Sequence, residues 1–361
     1  MAKVIDVQCP ACNAPLHFNA KLGKMKCDYC DSIFDPKDLK KVENVNVEKT
    51  KEESVIEENY VSYNCPDCGA EIVADENTSA TFCLYCGNTA ILKNKLSGKF
   101  APDKIIPFKV EKEEAIAAFK KVAYRKPLAP KSFASEKNIE KITGLYVPFW
   151  LYEIEVDGSV KAEGVKVSSW TTGNTHYTKQ DFYDLERKGN MLYKRVPVDG
   201  SIKLDNALMN SLEPFYFHYL VDYNHAYLSG YYAEKYDVEK EKAYKDAEAR
   251  TLKSTLDVMV NDMGSYSSKS VKKNNLEAKL INTEYVLLPI WMVNIKYKDE
   301  YYMFAMNGQT GEFVGDIPID RKKQLLYALI IFTLTFIIVI AIAYLVYIYQ
   351  GSSAIWKILN T

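Results

Sequence analysis

Residues 325–349 read Leu-Leu-Tyr-Ala-Leu-Ile-Ile-Phe-Thr-Leu-Thr-Phe-Ile-Ile-Val-Ile-Ala-Ile-Ala-Tyr-Leu-Val-Tyr-Ile-Tyr, 25 positions without a charge, a proline or a glycine. At about 1.5 Å of rise per residue, a helix of this length exceeds the roughly 30 Å hydrocarbon core of a bilayer. A soluble core helix is rarely apolar on every face. The stretch therefore predicts one transmembrane helix. Arg321, Lys322 and Lys323 precede it, whereas only Lys357 follows. The positive-inside rule then places the long N-terminal part in the cytoplasm, making this a single-pass, tail-anchored protein of the cell membrane. Tyr344, Tyr347 and Tyr349 suit an aromatic belt at the far interface. Met1 to Pro10 has no apolar h-region to compete as a signal peptide.

The 361 residues leave room for several domains, and 26% charged with 48% hydrophobic residues is ordinary globular composition. A formal charge of -1 gives no general basic field for nucleic acid. The 27 tyrosines gather in the middle of the chain and favour strands there.

All eight cysteines lie before residue 87. Cys9, Cys12, Cys27 and Cys30 form one CxxC pair of pairs. Cys65, Cys68, Cys83 and Cys86 repeat it with every member displaced by 56 positions, a gapless internal duplication. Pro10 and Pro66, Ala14 and Ala70, and Tyr29 and Tyr85 also coincide. In a reducing cytoplasm such thiols are expected to bind metal, not to form disulfides. Two CxxC turns can bring four thiolates about 2.3 Å from one ion and close a tetrahedron. The expectation is two structural Zn2+ ions without an open coordination position. Each module, about 35 residues, is too small to be held by a core of its own and is expected to unfold on chelation. His17 lies in the first module and is not needed as a ligand.

The CPxC and CxYC elements resemble TFIIB-type zinc ribbons, a group found in transcription factors and primosomal helicases. Charge argues against transferring a nucleic-acid role. The first ribbon balances four Lys against four Asp, and the second sets Lys93 and Lys95 against Asp67, Glu71, Asp75 and Glu76. Each four-thiolate zinc site adds about -2. Lys21, Lys24 and Lys26 form one basic cluster, which a solvated hairpin tip also explains.

The expected organisation is multidomain. Zinc ribbon 1 occupies 1–38, a charged linker 39–59 and zinc ribbon 2 60–95, both ribbons being small and all-β. An α+β domain with antiparallel strands follows at 96–320, then the transmembrane helix at 325–349 and a short tail at 350–361. Within the α+β domain, periodicity predicts an amphipathic helix over Glu111–Lys126 and a second over Val238–Met263, the latter with a stripe of Leu252, Leu256, Met259, Val260 and Met263. Leu145–Val156 reads as a strand turning at Asp157-Gly158 into Ser159–Val167, and Ser265–Asn275 as a polar loop. The aromatic run from Pro214 to Tyr232 reads as strands. Pro148, Trp150 and Ile154 recur as Pro289, Trp291 and Ile295, suggesting a duplicated strand unit.

No HExxH, P-loop, GxSxG or dinucleotide-type glycine pattern is present, so the chain is expected not to be an enzyme. The four histidines, His17, His176, His218 and His225, are scattered, although His218 and His225 could meet across a turn. Paired ribbons, a large α+β domain and one terminal anchor resemble bacterial membrane-anchored double zinc-ribbon proteins of the YdjG-like type. That resemblance implies a cytoplasm-facing adaptor that recruits PspA-type and SPFH-type proteins to the bilayer during envelope stress. The alternative is a membrane-tethered nucleic-acid-binding ribbon protein. Thr333, Thr335, Ala341 and Ala343 could line a helix contact in a homo- or hetero-oligomer.

Overall fold

The computed structural model describes residues 4–5, 7–39, 60–64, 71–75, 78–82, 89–92, 101–130, 133, 142–202, 204, 206–297 and 300–359. Most of the expected linker and the Lys298-Asp299 turn lie outside them. Strands are β1 (Val4–Ile5), β2 (Leu16–Asn19), β3 (Lys24–Cys27), β4 (Ile33–Phe34), β5 (Tyr60–Asn64), β6 (Glu71–Asp75), β7 (Thr78–Phe82), β8 (Thr89–Leu92), β9 (Lys104–Ile105), β10 (Thr143–Thr172), β11 (Thr175–Asp199), β12 (Val221–Asp222), β13 (Tyr232–Glu234), β14 (Ser268–Tyr297), β15 (Glu300–Asn307) and β16 (Phe313–Val314). Helices are α1 (Lys112–Arg125), α2 (Asn206–Ser211), α3 (Lys240–Asp262) and α4 (Arg321–Leu359). Among the described residues, eleven strands form one mixed sheet in the order β1-β8-β7-β13-β10-β14-β15-β16, with β11 on β10, β9 on β14 and β12 on β9.

The centre of this sheet is the antiparallel pairing of β10 with β14, and the Pro-x-Trp duplication accounts for its geometry. The two copies of the motif are 141 positions apart, and Val147 pairs with Leu288, its own counterpart at that spacing. The pair therefore lies on a local two-fold axis. Main-chain contacts repeat about it. Gly200 N–H donates to Pro148 O at 2.8 Å, and Gly308 N–H to Pro289 O at 2.9 Å. Asp237 and Val238 N–H both donate to Gly200 O, as Lys109 and Val110 N–H do to Gly308 O. β13 lies parallel to Leu145 and Tyr146 of β10, and β9 lies parallel to Val286 and Leu287 of β14.

The tryptophans fix the helices that follow. Trp150 Nε1 donates to Val238 O at 2.8 Å, two residues before α3, and Trp291 Nε1 to Val110 O at 3.0 Å, two residues before α1. A buried indole needs an acceptor for its N–H. Here the acceptor is the backbone entering a helix, so each strand registers one helix on the sheet. Glu111 and Glu114 close a capping box at the start of α1, which buries Ala115, Phe119 and Ala123. On α3 the fully buried row is Ala243, Ala247, Thr251, Thr255 and Met259. The expected Leu252, Leu256 and Val260 are only half-buried beside it, because small residues let the helix axis approach the sheet.

Two turn expectations are corrected. β10 runs straight through Asp157-Gly158 and reverses only at Gly173-Asn174. Gly158 serves close approach of two strands instead of a turn: its φ is +146°, and a Cβ there would lie 2.0 Å from Asn275 O on β14. The polar stretch expected as a loop is β14 from Ser268 onward, with solvent on much of its surface. β10, β11 and β14 thus form a three-stranded arm. α3 covers one face of it as far as Val160 and Ala162, which meet Met259 and Met263. Lys269 Nζ donates to Val260 O and Gly264 O and satisfies the end of the helix. Beyond it the arm tip is bare, with Trp170 stacked on Tyr177 at 5.5 Å.

The aromatic run 214–232 is also not a set of long strands. It folds as 3-10 turns at Phe217–Tyr219 and His225–Leu228 flanking the short β12, and ends in β13. His218 packs at a tilt against Tyr219, 4.0 Å between ring centres, and His225 against Tyr223 at 5.0 Å, so the two histidines have separate ring partners.

α4 is long and apolar enough to cross a membrane, with its apolar side chains exposed over Arg321–Val346. It continues to Leu359 through the segment expected as a short tail. Its start is tied down by Asp320 N–H to Leu128 O and Lys323 Nζ to Ala129 O. Nearby Phe133 packs on Tyr297 and Tyr302, where β14 ends and β15 begins. α4 and the arm tip therefore lie toward opposite ends of β14, whose 30 residues extend to at most about 100 Å at about 3.3 Å per residue.

Gly158→Ala should destabilise the fold by about 1–3 kcal/mol. Denaturant unfolding followed by circular dichroism is the measurement, and a neutral effect would contradict the close approach.

Candidate metal centre

β2, β3 and β4 form a separate three-stranded sheet, with Cys9 and Cys12 on the turn before it and Cys27 and Cys30 on the turn between β3 and β4. Both turns are built alike. Asn13 N–H donates to Cys9 O at 2.8 Å and Asp31 N–H to Cys27 O at 2.9 Å. Cys9 N–H bonds Ala14 O and Cys27 N–H bonds Ser32 O. Closing these turns requires left-handed backbone at Asn13 (φ 63°) and Asp31 (φ 56°), residue types that tolerate it.

The four Sγ atoms lie within 4.8 Å of one another. Cys9 and Cys30 are 3.6 Å apart and Cys12 and Cys27 3.5 Å. A tetrahedron with metal–sulfur bonds of about 2.3 Å has edges of about 3.8 Å, so the donor set fits one zinc ion. Electrostatics agree. Ser32, through its hydroxyl and its backbone, holds the Cys30 thiol down to about 6. At Cys12 the Ala14 backbone favours the thiolate, but burial and the neighbouring thiols push it up to about 12. Four thiolates this close repel unless a cation neutralises them, and a bound metal deprotonates them outright. With all four positions taken by protein sulfur, the centre offers structure and no open position for catalysis.

His17 stands on β2 with Nε2 3.9 Å from Asp28 Oδ2, outside the thiol cluster. Lys26 pairs with Asp31 at 3.1 Å, which takes one lysine out of the basic cluster.

Cys65, Cys68, Cys83 and Cys86 lie outside the described residues. The strands around them reproduce the first module's register at a displacement of 56. The bridge Gln8↔Pro15 recurs as Asn64↔Glu71. Met25↔Phe34 and Lys26↔Ile33 recur as Thr81↔Ala90 and Phe82↔Thr89. The positions matching left-handed Asn13 and Asp31 are Gly69 and Gly87. Glycine adopts that backbone most readily, a sequence signal for the turn that the cysteine spacing alone does not carry.

The chain is 35% identical over 313 residues to a Bacillus subtilis (strain 168) protein named "Uncharacterized protein YdjG", and the match covers 73% of this chain and 92% of the relative. The chain belongs to the YdjG family. No family model and no solved structure matches it.

In this member of the family the first module is not an independent bead. Phe18 N–H donates to Ser229 O, Ser229 Oγ to Leu16 O and Asn224 Nδ2 to Pro36 O. Phe18 meets Tyr227 edge-on at 5.3 Å. Cys9, Leu16, Met25 and Cys27 share one buried cluster with Tyr227, Tyr231 and Trp291. The expectation of a module held by metal instead of a core is thus corrected: the module contributes to the domain's core. β1 also joins the main sheet, pairing with β8.

Chelation should therefore raise amide exchange in 9–34 and also in 224–231, leaving the β10–β14 ladder protected. Exchange confined to 9–34 would show that the shared core does not transmit metal loss.

Proposed function

We propose that the protein is a membrane-anchored scaffold that holds protein partners at a distance from the bilayer, with one Zn2+ in each cysteine quartet. The observation carrying this reading is the placement of anchor and arm tip at opposite ends of β14. With Arg321, Lys322 and Lys323 on the cytoplasmic side, the arm extends into the cytoplasm. Trp170 and Tyr177, 49% and 45% exposed, give its tip a rigid aromatic pair of the kind that dominates protein interfaces. A cavity of about 550 Å³ on the arm's open face is lined by Glu155, Asp157, Asn190, Glu277, Ala278 and Lys279. It has the character of a solvated acidic shelf, so a docking role is favoured over a catalytic one.

The second zinc rests on the repeated register and on Gly69 and Gly87. PspA-type and SPFH-type proteins are the partners that the family resemblance implies. A nucleic-acid role is disfavoured by the acidic second ribbon and by the Lys26–Asp31 pair.

Metal analysis of protein from gently solubilised membranes should give two zinc ions per chain, and one for Cys65→Ser/Cys68→Ser. Affinity purification in high salt should retain protein partners with the wild type and lose them with Trp170→Ala/Tyr177→Ala. Nucleic acid released steeply by salt, with no protein partner, would overturn the scaffold reading.

A further inference from the structure

Asp199 and Asn307 hold equivalent places about the local two-fold, each at the end of a strand and one residue before the glycine that bonds back to Pro148 or Pro289. Each side chain caps the turn that follows, Asp199 Oδ1 accepting from Ser201 N–H and Asn307 Oδ1 from Gln309 N–H, both at 2.9 Å. Their other side-chain atoms differ. Asn307 Nδ2 donates to Leu212 O and Pro214 O, carbonyls of the segment that crosses over from the end of β11. Asp199 Oδ2 has no hydrogen-bond partner among the described residues, although the residue is only 5% exposed.

The asymmetry arises from connectivity. The chain leaving Asp199 crosses the axis to cover Asn307, whereas the chain leaving Asn307 turns back as β16 and enters α4. A cavity of about 210 Å³ lies beside Asp199 at the base of the arm. Val198, Ile202 and Val238 form its apolar lining, and Lys242 and Asp246 of α3 are among its polar residues.

A carboxylate can only accept hydrogen bonds, so where Asn307 donates to carbonyls, Asp199 calls for a donor. Glu234 on β13 and Asp237 beyond it place negative charge near Asp199, and among the described residues Lys242 and Asp246 also line the cavity. Apart from the four N-terminal cysteines, no group of acidic, histidine or cysteine ligands among the described residues is close enough to hold a metal ion. The apolar lining suits an alkyl chain. We propose that this cavity binds an alkylammonium group, the side chain of a lysine in a docked peptide or a free primary amine, with Asp199 as its counter-anion. Burial, and after it Asp237 and Glu234, push the Asp199 carboxyl up to about 7 against the pull of the Ser201 N–H. An ammonium stays charged across this range, so binding must displace the Asp199 proton. Affinity then weakens about tenfold per pH unit below 7 and is level above it.

The same shift gives a fold-level control. The folded pKa lies above the unfolded value, so the stability associated with the proton is present below pH 4 and is lost as pH rises to about 7. Asp199→Asn should raise stability at pH 8 and leave it unchanged at pH 4, which ensures a folded variant for the binding test.

Calorimetric titration of the full chain in detergent at pH 8 and pH 6, with n-butylamine, Nα-acetyl-lysine N-methylamide and CaCl2, tests the site. Both amines are expected to bind at pH 8 in competition, about tenfold more weakly at pH 6, and not at all to Asp199→Asn. Tighter binding of the lysine derivative supports the peptide source, and tighter binding of butylamine the free amine. Absence of binding by both amines, equal binding to Asp199→Asn, or Ca2+ competing as effectively as the amines would overturn the proposal.

Discussion

The pairing of β10 with β14 about Val147 and Leu288 is the constraint on which the rest of the molecule depends. Backbone groups buried under helices must be hydrogen-bonded. In this core the same solution is used twice, once on each side of the axis. A glycine N–H returns to the carbonyl of a strand proline, and that glycine's own carbonyl receives the two N–H groups that lead into a helix. A tryptophan N–H then fixes the carbonyl at the helix entrance. Strand, turn and helix are thereby locked in register around the buried apolar runs of β10 and β14.

The two halves diverge once their shared core is complete, and the divergence carries the functional geometry. One half lengthens its hairpin into the arm and lays the 23-residue α3 along it. The other keeps a short hairpin and sends its chain into α4. Gly158 keeps β10 and β14 close at mid-arm, where any side chain would meet the backbone of the neighbouring strand. Asp199 and Asn307 record the same divergence at a single position. One is sealed by the chain's own carbonyls and the other is left beside a cavity.

The metal centre follows a different logic. The turns that carry Cys9, Cys12, Cys27 and Cys30 are fully determined locally, by backbone hydrogen bonds and two left-handed residues. What they stabilise is not local. Leu16, Phe18 and Met25 face the 224–231 segment and the middle domain's aromatic cluster, so an ion bound by the thiols would brace a surface on which the larger core closes.

By itself the sequence determined the features that depend on near neighbours along the chain. The cysteine spacing defined a four-thiolate centre, the uncharged run a membrane-length helix, and the 3.6-residue periodicity α1 and α3. The Pro-x-Trp repeat pointed to a duplicated strand. Tertiary structure alone decided where strands end and what they cover. Asp157-Gly158 has the composition of a hairpin turn, but the backbone of β14 runs against it and keeps the strand straight. The row Ala243, Ala247, Thr251 and Thr255 has little apolar weight, yet it is the buried face because only small side chains let α3 reach the sheet. The different fates of Asp199 and Asn307 depend on which segment crosses the axis, a consequence of long-range connectivity that local sequence does not contain.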